Sequence, residues 1–488
     1  MEGCLLHRGL VLIVAVGLGP GAGAQFPYGK GFPYGTGATP RLTITGAPWI
    51  GNLAFAMQLR DGPPGGLGVI AVSQGEASLS FGGPIVFIDP AQTTWLAVQM
   101  LDVSGSMTLA IPIPGPATTS FAGFPAFAQG AVTHSGTPGV VGTTRGLLLE
   151  VAMPPLGVAF AAAGSTELAA VDPLTGLSPW SHTLPGPSAG ARVRATFARG
   201  GAELYVAIQS GGATTIHRGL VEDGAAPMWW PLVTLTSTVE GLAYDRDDRR
   251  LFVLTPPNLV VVDVDPVQPT FGSVTGSIPG FADGCVLTLA ERGEFAAVAT
   301  SAGVGARVIV VGASGGNDLQ VIADEPVPIA TAQTVLDLTC DLSPDGAQLL
   351  IGTRLASPLT SGGIDALDVT SRTWTSVYSA GASSGDPSWA YAPNGESVIV
   401  VDAATGQMRR MARDSFGWYT THLSTVPTTG GPIAVALGRN GDTATLVQTP
   451  FGGNPGRVVY HVDATTGQSL ATPIAIAVAG TAIGVVAR

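Results

Sequence analysis

Lysine is nearly missing from this chain: Lys30 stands alone beside 21 arginines in 488 residues. Charge of either sign is sparse, at 11% of residues, and the balance is negative, with a formal net charge of −12. Nucleic-acid binding needs clustered cations to displace the counterions of phosphate, so this composition argues against it. Anionic membrane surfaces are disfavoured for the same reason. Long hydrophobic runs are also lacking. Beyond the first 24 residues, no apolar stretch is free of Gly, Pro or charge, so no span is expected after that segment.

Metal-binding and nucleophilic signatures are equally thin. The six histidines (His7, His134, His182, His217, His422 and His461) stand apart, with none at HxH or HxxxH spacing. Zinc needs grouped His, Cys or carboxylate ligands. Ser104-Gly105-Ser106 is no nucleophile elbow, and the Gly-rich segment around Gly315-Gly316 opens no helix that could cradle phosphate. No catalytic residue and no cofactor is assigned.

What the chain does hold is turn material, with 68 Gly and 38 Pro among 45% apolar residues. Gly and Pro break helices and populate turns, so many short strands are predicted. At this length two domains are the natural expectation.

Residues 1–24 read as a secretory leader: His7 and Arg8, an apolar run from Gly9 to Gly19, and a small-residue cleavage site at Ala22-Gly23-Ala24. The expected location is therefore outside the cytoplasm: periplasmic, cell-surface or extracellular. Residues 25–39 carry the tandem FPYGKG–FPYGTG, expected to run extended as a tether or domain cover, with a ligand-binding aromatic tract as the other option. Residues 40–152 hold about seven strand-like runs between Gly, Pro and Asp punctuation, which predicts a β-sandwich domain. The stretches PYGTGATPRLTITGAP and LAIPIPGP resemble a sandwich module of secreted bacterial proteins. This chain departs from that pattern in having no cysteine between Gly35 and Ala38.

From residue 153 onward the text repeats. LSPDGAQLLIGT (Leu342 to Thr353) reads as a strand end, a Ser-Pro-Asp-Gly turn and a second strand. Looser copies align on Gly201, Asp248, Gly293, Gly346, Gly395 and Gly441, at intervals of 47, 45, 53, 49 and 46 residues. Asp368 and Asp463 each follow their turn glycine by 22 residues, and Asp172 opens a similar DPLTG in the first unit. Several strands per 40–50 residues is the period of a propeller blade. The first unit lacks an opening strand, while AGTAIGVVAR at the far end supplies one. The prediction is an all-β chain with a seven-bladed β-propeller over 153–488, closed by its C-terminal strand. LSPDGAQLLIGT, APNGESVIVVDAATG and YHVDATTGQ resemble the YVTN-type and TolB-like propeller repeats. That resemblance implies fold and not reaction, since such families include scaffolds, lactonase-type enzymes and cofactor-dependent dehydrogenases.

Counting back from the turn markers exposes one constellation. Glu240, Asp283, Asp337 and Asp386 lie 8, 10, 9 and 9 residues before theirs, and Arg192 lies nine before Gly201. In a propeller that position is the channel mouth. Four carboxylates there could hold Ca²⁺ through oxygen or attract a cationic ligand; solvated loop acids give the same pattern. YDRDDRR (Tyr244 to Arg250) reads as a charged hairpin turn rather than a calcium loop. Cys285 and Cys340 are placed on innermost strands of adjacent blades, as two buried thiols in preference to a disulfide. Trp229, Trp230, Trp389, Trp418 and Tyr419 are the candidate exposed aromatics, with alternation burying one of each adjacent pair and blade packing as the default for all of them. The leading reading is an exported non-enzymatic binding or scaffold protein with a protein or glycan ligand. A metal-assisted, lactonase-like hydrolase at the acidic mouth is the alternative.

Overall fold

In the computed structural model, the described residues are 25–487 except 29, 36–37, 46–47, 49, 81–82, 116–123, 134–140, 152–156, 164–166, 172–179, 185–191, 199–200, 222–226, 246–248, 283, 291–294, 302–304, 314–317, 330–333, 344–345, 356–362, 380–386, 392–396, 403–404, 415–416, 427–432, 438–442, 449–456, 464–465, 469–473 and 477–481. The leader reading at 1–24 lies outside them. No helix among them is long and apolar enough to cross a membrane. The chain divides into two compact units, Ala22–Pro154 and one containing Pro155–Arg488.

The smaller unit is built of antiparallel sheets. Its largest has the order Gln25–Tyr28, Gly146–Val151, Phe124–Thr133, Leu67–Ser73, Thr93–Met100, with Val141–Thr143 on the side. A second sheet joins Arg41–Thr45, Ala56–Arg60 and Met107–Ala110. Alternation explains how both serve one core. Met57 and Leu59 from the smaller sheet meet Ile70, Val72, Ala128, Val132, Leu147 and Leu149 from the larger. The FPY segment is extended, as expected, and Gln25–Tyr28 pairs antiparallel with Gly146–Leu149. Ser104 and Ser106 belong to a turn whose backbone N–H groups donate to Asp102 Oδ1 at 2.8 and 2.9 Å.

Among the described residues the larger unit holds seven four-stranded antiparallel sheets. Six follow the chain strand by strand, opening with Val193–Ala198, Gly241–Asp245, Gly284–Leu289, Val335–Leu342, Pro387–Tyr391 and Ile433–Leu437. The other joins Ser181–Thr183, Glu167–Val171 and Gly157–Ala163 to the distant strand Ala482–Ala487. The opening strands touch their neighbours in chain order, and Ala482–Ala487 touches both Ile433–Leu437 and Val193–Ala198. The succession thus returns on itself, which is a β-propeller-like arrangement.

The apolar runs of the second strands explain why the sheets stack. In Arg250–Thr255, Leu251 and Val253 pack with Tyr205 and Tyr244 on one side, while Phe252 and Leu254 pack with Leu287 and Val298 on the other. Alternation therefore serves two neighbours at once, and a strand covered on both faces reads as LFVL rather than apolar–polar. Fully burying each such side chain stabilises by about 1.5–3 kcal/mol.

At the ends of the Ser-Pro-Asp-Gly segment, the described residues Ser343 and Gly346 have the geometry that such a turn requires. Gly346 sits at φ +68° and donates to the Ser343 carbonyl at 2.8 Å, between strands Val335–Leu342 and Gln348–Leu355. Asp368 marks a second turn, its carboxylate accepting from the Thr370 and Ser371 N–H groups, which holds its pKa below the usual carboxylate range. In the Tyr244–Arg250 hairpin, Arg250 donates to Asp245 at 3.1 Å and to Asp318 at 3.0 Å, binding one sheet to the next.

Candidate functional site

Two of the acids singled out by counting, Glu240 and Asp337, fall at the N-terminal ends of opening strands. Glu240 directly precedes Gly241–Asp245, and Asp337 lies in Val335–Leu342, paired in register with Arg354. Asp283 and Asp386 lie outside the described residues, and of the four side chains only that of Glu240 is described.

Glu240 is committed to two arginines of the preceding sheet. Arg192, immediately before Val193–Ala198, donates to Glu240 Oε1. Arg194 donates through Nη2 to Glu240 Oε2 at 3.4 Å and through Nε to the Glu240 carbonyl at 3.0 Å. Period-2 alternation puts residues 192 and 194 on one face of their strand, the face that meets the next sheet. The side chain of Arg194 is 5% exposed, against 22% for Arg192 and 23% for Glu240. Burial depresses the Arg194 pKa; Glu240 counters this and Arg192 adds to it. The cluster carries two positive charges and one negative. Gln209 lies opposite Arg192, its N–H donating to the Arg192 carbonyl at 2.9 Å, and its side-chain oxygen is buried with no hydrogen-bond partner among the described residues.

The sequence marked Glu240 and Arg192 as equivalent positions. It missed Arg194, although the Arg-x-Arg spacing on a strand was the available signal. Among the described residues no three His, Cys, Asp or Glu side chains converge as metal ligands.

The remaining candidates separate cleanly. Cys340 is a free, buried thiol with its pKa pushed up by that burial. Cys285 stands at a register shift in the opening strand of the neighbouring sheet, with its side chain outside the described set. His217 is buried and its pKa lowered by desolvation, while His182 stacks on Trp229 with ring centroids 5.9 Å apart. Trp230 and Tyr419 are exposed on fourth strands, at 43% and 47%, and Trp229 and Trp418 face inward beside them as alternation predicts. Trp389 follows the expected default of blade packing. It is 6% exposed, because an opening strand is covered on both faces, and its Nε1–H donates to Thr339 of the neighbouring sheet at 3.1 Å.

No family model matches this chain, and no curated protein matches it. Solved structures with a similar backbone include Kuenenia stuttgartiensis hydrazine synthase, at 12% identity and TM-score 0.46 over 62% of this chain and 94% of that one. Chaetomium thermophilum Sqt1, solved bound to the N-terminus of ribosomal protein L10, is 14% identical at TM-score 0.45 over 65% and 83%. A putative 6-phosphogluconolactonase from Bacteroides uniformis is 14% identical at TM-score 0.39 over 73% and 96%. No ligand and no residue role passes from these likenesses to this chain.

Proposed function

We propose that this is an exported, non-enzymatic binding or scaffold protein, with an N-terminal β-sandwich and a seven-bladed β-propeller closed by its C-terminal strand as the interaction platform. The observation that favours this reading over a metal-assisted hydrolase is the state of Glu240. Its carboxylate is bound by two guanidinium groups, which place positive charge where a cation would sit. A divalent ion would have to break both contacts and approach a net cationic cluster. Ion pairs between neighbouring sheets instead hold the mouth rigid, which suits recognition by a preorganised surface.

The test is thermal unfolding with Ca²⁺, Mg²⁺ or Mn²⁺ added to protein freed of metal by chelation. A ligand bound only by the native state raises the melting temperature. The binding reading expects no rise beyond that given by matched ionic strength. A saturable rise with one of these ions, lost in Asp337→Asn, would put the hydrolase ahead of the binding reading.

A further inference from the structure

Resting on that reading, we propose that the Arg192–Arg194–Glu240 cluster binds the oxyanion group, carboxylate or phosphate, of the ligand that the mouth receives. Two guanidinium groups share one carboxylate, leaving one positive charge uncompensated among the described residues, in a region where Arg194 is almost wholly withdrawn from water. Buried charge is costly unless it is paired. The donors are also in excess. A guanidinium carries five N–H groups, and Arg194 uses three of its own: to the Glu240 carboxylate, the Glu240 carbonyl and the Val193 carbonyl at 3.0 Å. Among the described residues Arg192 spends only Nη1, on Glu240, so its fork keeps donors for a second acceptor.

A carboxylate or phosphate seated on the partly exposed Arg192 would complete the charge balance and take up those donors through the planar fork that such groups match.

The experiment compares wild type with Arg192→Gln in thermal unfolding, in sodium acetate, in inorganic phosphate and in chloride at matched ionic strength. Wild type is expected to gain about 2 °C over chloride at roughly ten times Kd, and the variant to lose that gain. Excluded-salt stabilisation acts on both proteins alike, so it cancels in the comparison. A gain in acetate alone assigns a carboxylate, and a gain in phosphate alone assigns a phosphate. Equal increments in the two proteins, or no increment in wild type, overturn the proposal. Should Arg192→Gln not fold, Arg192→Lys carries the same comparison, because it keeps the charge and loses the fork. If anions fail and Ca²⁺ stabilises instead, the binding reading falls too; if both fail, only the anion site is lost.

Discussion

The hydroxyl of Thr288 donates to Asp341 Oδ1 across 3.1 Å, joining the opening strands of two neighbouring sheets. The same carboxyl accepts the backbone N–H of Tyr391, on the opening strand of the sheet beyond, so one acid ties three successive sheets. The residue as a whole is half-buried, but its carboxyl lies in the interior, and this desolvation outweighs the donors and pushes its pKa up to about 6.

The pH dependence follows from that direction. The folded-state pKa lies above the unfolded value of 3.8, so the protonated acid is the form that the fold prefers. Its contribution is fully present below the unfolded pKa and is lost as pH rises through about 6. The adjacent Cys340 thiol stays protonated throughout this window. Between pH 4 and 7, wild type should lose up to about 3 kcal/mol relative to Asp341→Asn. Denaturant unfolding of both proteins across that range checks it, and parallel stability curves would refute it.

Glu203 and Arg218 form an enclosed ion pair within one sheet. Glu203 is 1% exposed, accepts the Tyr205 hydroxyl at 2.7 Å and holds Arg218 at 2.7 and 3.1 Å. Arg218 in turn lies over the Phe271 ring at 5.5 Å. Glu203→Gln should cost about 3–5 kcal/mol, since it strands a guanidinium in the interior. The loss in urea unfolding should change little between low and high salt, because buried pairs are poorly screened.

Gly352 is required by its neighbours rather than by its backbone angles. A Cβ there would lie 2.4 Å from Thr339 Oγ1 and 2.5 Å from Trp389 Nε1, the two atoms that bond across the sheets. Gly352→Ala should therefore destabilise by about 1–3 kcal/mol. Trp389→Phe, which removes only the N–H donor, should cost about 1 kcal/mol. The near-ultraviolet circular dichroism of the tryptophans is the accompanying readout; an unperturbed signal in Gly352→Ala would contradict the predicted clash.

Removing residues 482–488 takes away the strand that pairs with Gly157–Ala163. The shortened chain should expose an unpaired sheet edge and aggregate, because such edges template further pairing. Size-exclusion chromatography with light scattering reads the outcome. A monomer as stable as the full chain would show that this pairing matters little.

Local chemistry made part of this legible in the sequence. The turn at Gly346 was readable because Pro and Gly restrict a few torsions irrespective of the rest of the fold. The C-terminal strand was readable because the first repeat lacked one. Trp389 could be read only as an exposed candidate with blade packing as its default, because its cover comes from Thr339 and Gly352 of another sheet, which no local pattern encodes. Glu240 was found by counting, but its meaning changed once Arg194, 46 residues away in sequence, turned out to share its carboxylate.

The strand Ala482–Ala487 completes a sheet whose other members end before residue 184. At ribosomal speeds of about 5–20 residues per second, roughly 15–60 s separate the emergence of Gly157–Ala163 from that of its partner. Through that interval the growing chain carries an open edge while six later sheets are being made. Its vulnerable period is thus set by the clock of translation, and a chaperone that masks strand edges would be needed until Ala482–Ala487 has emerged.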